Sequence, residues 1–291
     1  MGMRIFFLLL MMSVVLTVFS RRLMPSLEAQ YVGNIAQMAA PDVKMVSSAQ
    51  GFAIYGNYAF QFRNKGQCHV IDLKKKKVIN TFNLKGNKSH CNNANFGLIK
   101  YNKNSEFPLL YISECKGSKG CMVTDIRLDG TNTIVQRIYY DDDAENDYEY
   151  MDWTLDKENG FIYTFGSPID GLQTGKKILR KFRLPQLSDS DANGEVHFKK
   201  EDILETIVID HFLVSQGSCI HHDLAYLPEG YNPLDRKLHV YDLRRKELVR
   251  TLDLNALAKE PEGLDIKGRW LYVSFHQSRT PRGTSYMRFR L

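Results

Sequence analysis

One repeat constrains this chain more than any other feature. The segment His69-Val-Ile-Asp-Leu-Lys-Lys-Lys-Lys-Val-Ile-Asn-Thr-Phe-Asn-Leu84 matches His239-Val-Tyr-Asp-Leu-Arg-Arg-Lys-Glu-Leu-Val-Arg-Thr-Leu-Asp-Leu254 in character at every position. Each copy reads as a strand, a charged turn and a second strand, with apolar residues alternating at the two-residue period of a sheet. Weaker copies of the first strand are Val123-Thr-Asp-Ile-Arg-Leu128, Leu179-Arg-Lys-Phe-Arg-Leu184 and Tyr286-Met-Arg-Phe-Arg-Leu291. Their final leucines, 73, 128, 184, 243 and 291, lie 55, 56, 59 and 48 residues apart. Short strands recurring at such a period are the mark of propeller blades, each a four-stranded antiparallel sheet.

The fold expected is therefore all-β, a β-propeller of five four-stranded blades, with six as the alternative. Aromatic second strands precede four of the copies: Tyr58–Phe62, Leu109–Ser113, Phe161–Phe165 and Trp270–Phe275. Asn159-Gly160 and Lys267-Gly268 supply turn chemistry ahead of the last two. The blades fall at about 49–84, 90–140, 148–187, 215–254 and 260–291. The last blade ends on its third strand, so Val43–Ser48 is expected to add the missing edge and close the ring. Residues 188–214 read as an extension of blade three crossing into blade four. No segment carries a convincing helical period.

Ahead of this single domain, 30–291, stands a leader over 1–29. Arg4 is followed by an apolar run from Ile5 to Phe19, the n-region and h-region of a secretory signal. Ser20 and Ala29 suit cleavage, whereas Arg21 and Arg22 suit an uncleaved membrane anchor, the only membrane contact expected. The expected location is periplasmic, secreted or at the cell surface. Cys68 is the first cysteine, too far on for a lipoprotein anchor. The five cysteines leave at least one unpaired within the chain, and Cys115 and Cys121 are spaced to close a short disulfide in an oxidising compartment. There is no CxxC pair to suggest a zinc site.

With 43% hydrophobic and 25% charged residues the chain is neither disordered nor polytopic in a membrane. Its net charge of +6 is mild, and the basic runs Lys74–Lys77 and Arg244–Lys246 fall in turns, so nucleic-acid binding is not expected. The acidic stretch Asp141–Glu145 lacks the ligand spacing of an EF-hand loop and reads as a solvated connection. No P-loop, serine elbow or dinucleotide fingerprint is present, so no nucleotide cofactor is expected.

Loops leading into the innermost strands converge on one mouth of a propeller. They carry Ser89-His-Cys-Asn-Asn-Ala-Asn95, Asp147-Tyr-Glu-Tyr-Met-Asp152, Gln216-Gly-Ser-Cys-Ile-His-His-Asp223 and Glu260-Pro-Glu-Gly-Leu-Asp265. Asn92, Asn93, Tyr148, Asp152 and Trp153 are the candidate ligand-binding residues, the aromatics as platforms for sugar rings; Tyr150 is a further one. His90, His221 and His222 are candidate general bases, and Glu260, Glu262 and Asp223 candidate metal ligands. Blade-to-blade hydrogen bonding competes as the role of His90 and the asparagines, and turn chemistry as that of Glu262. Two registers place the His221-His-Asp223 trio. Aligning Gln216-Gly217 with Gln50-Gly51 puts it on the face away from the mouth, and aligning Cys219 with Cys91 puts it at the mouth. The second makes one coherent polar mouth and is preferred.

Glu260-Pro-Glu-Gly-Leu-Asp265 resembles the blade-opening element of phytase-like and gluconolactonase-like calcium propellers, and His90 with Asn92 and Asn93 resembles the His-x-Asn element of related NHL-type propellers. The resemblance covers these two short elements. It implies Glu262 as a ligand of a central divalent cation and Asn93 as an amide ligand, and hard oxygen donors imply Ca²⁺. No counterpart of those families' remaining catalytic acid is found. The function expected is an exported propeller binding a glycan, peptide or protein at its mouth; the alternative is a metal-dependent hydrolase or lyase acting on a phosphate, lactone or sugar substrate.

Overall fold

A computed structural model describes residues 25–291 other than 27, 88, 142–147, 169–174, 211, 213, 232, 258 and 278–280. The leader expected over 1–29 thus lies outside the described residues except for its last positions. Five sheets stand in a ring. Blade one is β2 (Ala49–Tyr55), β3 (Tyr58–Arg63), β4 (Gln67–Asp72) and β5 (Lys77–Asn83). Blade two is β6 (Cys91–Phe96), β7 (Leu110–Glu114), β8 (Cys121–Ile126) and β9 (Asn132–Tyr140). Blade three is β10 (Tyr148–Asp156), β11 (Phe161–Pro168), β12 (Lys177–Arg183) and β14 (Glu205–Ile209). Blade four is β15 (Cys219–His221), β16 (Leu224–Glu229), β17 (Lys237–Asp242) and β18 (Glu247–Asp253). Blade five is β19 (Glu260–Lys267), β20 (Trp270–His276) and β21 (Ser285–Arg290), completed by β1 (Gln30–Asn34).

The inner strands are largely buried on both faces because each blade packs against two others, while the outermost strands, such as β5 and β18, keep exposed positions. β4, for example, is buried at all six positions, its polar residues included. One apolar cluster fills each junction: around Phe60 and Phe96 between blades one and two, Trp153 and Phe182 between two and three, Phe165 and Tyr226's neighbour Ala225 between three and four, Val240 and Val273 between four and five, and Phe52 and Tyr286 between five and one. The innermost strands approach backbone to backbone near the axis. A Cβ on Gly263 would lie 2.3 Å from Phe52 N, and one on Gly51 would lie 2.7 Å from Cys91 O, so only glycine fits at these places.

Two connections differ from expectation. The ring is closed by β1, with Gln30 opposite Arg288 and Asn34 opposite Ser285, and not by Val43–Ser48. Asn34 then caps a single helical turn, α1 (Ile35–Met38), accepting from Ala36 N at 2.7 Å. This reverses the chain and sends Val43–Ser48 across the end of blade one. That segment is held by side chains instead of a ladder: Gln67 Nε2 donates to Lys44 O, Gln67 Oε1 accepts from Val46 N, and Arg63 Nη1 donates to Ser47 O. Residues 188–214 do not simply extend blade three. They first form β13 (Glu195–Phe198), which pairs in parallel with β9 as a fifth strand of blade two, and return as β14 to complete blade three. A propeller edge left open by a long insertion is an invitation to pairing, and the insertion covers it.

Candidate functional site

The innermost strands and the turns between second and third strands put their polar ends on one face. There a pocket of about 190 Å³ opens, lined by Gln50, His90, Asn92, Cys115, Lys116, Tyr150, Lys177 and Val214 to Gln216. Its floor is a hydrogen-bonded plug on the axis. Asn93 Nδ2 donates to Trp153 O at 2.9 Å and Ser218 Oγ at 3.1 Å, while its Oδ1 accepts from Ser218 N at 3.1 Å. Asn95 and Thr154 join the same network, which ties blades two, three and four together. Asn93 is fully buried and its amide is spent on neighbouring blades, so it faces the plug rather than the pocket.

Directly beside the plug, Asn92 Nδ2 donates to Asp152 Oδ2 at 2.6 Å. Asp152 is fully buried beside Asn92 and Ser113. Burial pushes its carboxyl up to about 7, against the opposing pull of the Asn92 bond and the Lys177 charge. Lys177, at the start of β12, is itself only 1% exposed, an unusual place for an ammonium. His90 is half-buried with Nδ1 against Asn64 Oδ1, and burial followed by the Lys116 charge holds its imidazole below the usual range. Tyr150 lies under the Lys116 ammonium, 4.8 Å from ring centroid to Nζ.

Next to this pocket, and linked to it through Gln216, is a second buried group. Gln216 Nε2 donates to Glu260 Oε1 at 2.9 Å. Glu262 is buried with Oε2 unpartnered, and desolvation and the Glu260 charge push its carboxyl well above the usual range, opposed by Arg63. His276, opposite Glu260 in the sheet, is driven down to about 4 by burial and the cations Arg63 and Lys259.

The structure thus brings His90 and Asn92 to one pocket, with Asp152 buried behind Asn92, and sets Glu260 and Glu262 at its flank. It separates the rest. Trp153 is not a mouth platform: successive strand residues point to opposite faces, so with Asp152 turned to Asn92 the indole enters the core on the other side, donating to Lys119 O at 2.9 Å and packing on Phe182 and Phe198. Tyr148 opens β10 opposite Pro168, and its side chain lies outside the described residues. His221, His222 and Asp223 lie at the β15–β16 turn, on the face away from the mouth. The register that aligns Gln216-Gly217 with Gln50-Gly51 is the one the sheet adopts. The reason is that β15 starts at Cys219 and ends at His221, so that His222 and Asp223, with φ of 50° and 61°, form the two-residue turn itself. All five cysteines are buried and unpaired, Cys115 and Cys121 included. Sequence reasoning missed Lys177 and Arg63: Lys177 shares the strand face of Leu179, a signal that marked it, whereas Arg63 stands on the face opposite Phe60 and Phe62 and alternation did not mark it.

Neither a protein-family model nor a curated protein sequence matches the chain. Among solved structures it is similar to the glutaminyl cyclase of Myxococcus xanthus, at 10% identity and a TM-score of 0.51, over 85% of this chain and 96% of that one. It is also similar to the tail fiber of Staphylococcus aureus phage P68, at 12% identity and a TM-score of 0.58, over 95% of this chain and 56% of that one, so this chain spans little more than half of that protein. At such identities the likeness is one of fold alone: the chain is an all-β, five-bladed propeller.

Proposed function

We propose that this chain is an exported propeller that holds a polar ligand, a peptide or a glycan, in its mouth pocket. Asp152 carries the reading. A buried carboxyl linked by Asn92 to a solvent-open pocket, near a buried lysine that lines that pocket, is kept at a cost to stability, which a ligand bonded to Asn92 and Lys177 would offset. With Trp153 in the core, Tyr150 is the aromatic left at the pocket for sugar stacking, which favours the peptide arm. Export rests on the apolar run from Ile5 to Phe19; among the described residues no helix is long and apolar enough to cross a membrane. A Ca²⁺ ion at Glu260 and Glu262 remains part of the proposal. The paired carboxylates favour a hard cation, whereas the Arg63 guanidinium supplies competing positive charge. Metal content of chelator-free protein, compared with Glu262→Ala, tests it: near-stoichiometric calcium lost in the variant supports the ion, and its absence from both removes it.

A second reading, an enzyme, has one observation behind it. A carboxyl raised to about 7 and bonded to the pocket residue Asn92 suits general acid–base work, and the name of the Myxococcus protein is an enzyme's. The test serves both readings. In a thermal-shift screen of short peptides and oligosaccharides, a ligand of the mouth raises the melting temperature of the wild type and loses that effect in Asn92→Ala and Asp152→Asn; a ligand unaffected by both variants binds elsewhere and overturns the proposal. Turnover of such a ligand, lost in Asp152→Asn, decides for catalysis.

Asp152 also has a stability signature. Because its folded value is raised from 3.8 to about 7, the native state holds a proton that the unfolded chain has lost, and stability falls as pH rises across that window. Asp152→Asn removes the fall. Above pH 7 the variant is expected to exceed the wild type by an amount on the order of 2–4 kcal/mol in urea unfolding, with the gap closing in acid. A variant less stable than wild type at alkaline pH would show that Lys177 keeps Asp152 ionised.

A further inference from the structure

On the face away from the mouth, two turns meet. Glu158 lies in the β10–β11 turn of blade three, and His221 and His222 at the β15–β16 turn of blade four. Glu158 Oε1 lies 2.6 Å from His221 Nδ1, and Oε2 lies 3.0 Å from His222 Nδ1. The two imidazoles are tilted against each other with centroids 3.8 Å apart. One donor atom from each of the three residues lies within 4.8 Å of the others. Around a tetrahedral zinc with bonds of 2.0–2.1 Å, donors sit about 3.3 Å apart, so the three need move little to share an ion.

The surroundings hold this geometry. Glu158 Oε2 also accepts from His222 N at 2.9 Å, fixing carboxylate to turn. Asn159 Nδ2 reaches both Asp156 and Asp223 Oδ1, the latter at 3.0 Å, and Arg244 Nη2 holds Asp223 Oδ2 at 2.8 Å. Asp223 is thereby tied off and the turn is braced although His222 and Asp223 both have left-handed backbone, a conformation that needs support without glycine. His222 is about half exposed, which leaves a fourth position open to water.

We infer that Glu158, His221 and His222 form a binding site for a divalent transition metal, Zn²⁺ foremost, that clips blade three to blade four. Two imidazoles and one carboxylate select zinc over calcium, and three protein ligands with an open fourth position form a recurrent zinc donor set. The clip falls where the ring has its shortest innermost strand, the three residues of β15. The site is independent of the mouth pocket and of any calcium there.

The test is calorimetric titration of the chelator-treated protein with zinc chloride, and separately with calcium chloride, for wild type, His222→Ala and Glu158→Gln. Both substitutions are at partly exposed turn positions, and circular dichroism verifies that each variant is folded. Expected are one zinc per chain in the wild type, no calcium competition, binding weakened about tenfold or more in each variant, and a zinc-dependent rise in melting temperature confined to the wild type. No zinc binding by the wild type, or unchanged affinity in either variant, overturns the inference.

Discussion

His69 in blade one and His239 in blade four stand at the same place of the same repeat, and up to a point they behave alike. Each puts Nδ1 2.9 Å from a threonine hydroxyl across the strand pair, Thr81 and Thr251. Each hairpin carries its irregularity at the same step, Val70/Ile71 and Val240/Tyr241, and ends its turn on a lysine with positive φ. Beyond the hairpin they part. His239 Nε2 lies 2.6 Å from Glu229 Oε2 in a buried pair, whereas His69 Nε2 is buried without a partner, and burial, with Arg63 and Arg282 nearby, drives its imidazole down to about 3. The cause is one position. Two residues beyond the cross-strand neighbour, Leu227 or Gln61, blade four has Glu229 and blade one has Arg63. A repeat copies the ladder and its local hydrogen bond, but the partner of the shared histidine's second nitrogen comes from the adjoining strand.

The largest effect that would break this comparison comes from Glu229→Ala, which leaves His239 buried without its acceptor. A loss of about 3–4 kcal/mol in urea unfolding at neutral pH is expected, since breaking a buried pair strands the remaining partner; a loss below about 1 kcal/mol would make the pair no more than an ordinary hydrogen bond. Next in size is an acid effect at His69 in blade one. With the folded value of His69 far below the ordinary 6.5, the unfolded chain takes up a proton first, so stability is lost as pH falls from 6.5 toward 3. Measured at pH about 4, His69→Gln should recover up to about 2–3 kcal/mol of that loss; no recovery would show that the buried imidazole finds a partner in solution. Smallest is the common turn. Lys76→Gly relieves a left-handed lysine and should gain about 0.5 kcal/mol, and Lys246→Gly should gain less because it also gives up the ion pair with Glu205 at 2.6 Å. Equal gains would mean that the ion pair contributes nothing in solution.

The blades were legible because alternation and period survive in every copy: the ranges read from the five leucines agree with the sheets within a few residues at most edges. The closing strand was not, since Gln30–Asn34 and Val43–Ser48 are both short and extended in character, and the choice between them turns on the reversal at α1. At the site, His90 could be named because it stands on the loop leading into an innermost strand, and Asn92 and Asp152 because they lie within such strands, β6 and β10. Trp153 was misplaced by a single step of strand alternation, and His222 by a register slip that only the length of β15 resolves.

Sequence alone determined that this chain is built of repeated antiparallel blades, because strand period, turn residues and repeat spacing are local properties carried by each segment. Tertiary structure alone decided which polar groups lose water and which meet. The pairing of Asp152 with Asn92 from the preceding blade, of Glu262 with Arg63 from the first, and of Glu158 with two histidines from the next depends on contacts between residues 60 to about 200 positions apart, where desolvation and charge act through space and leave no pattern along the chain.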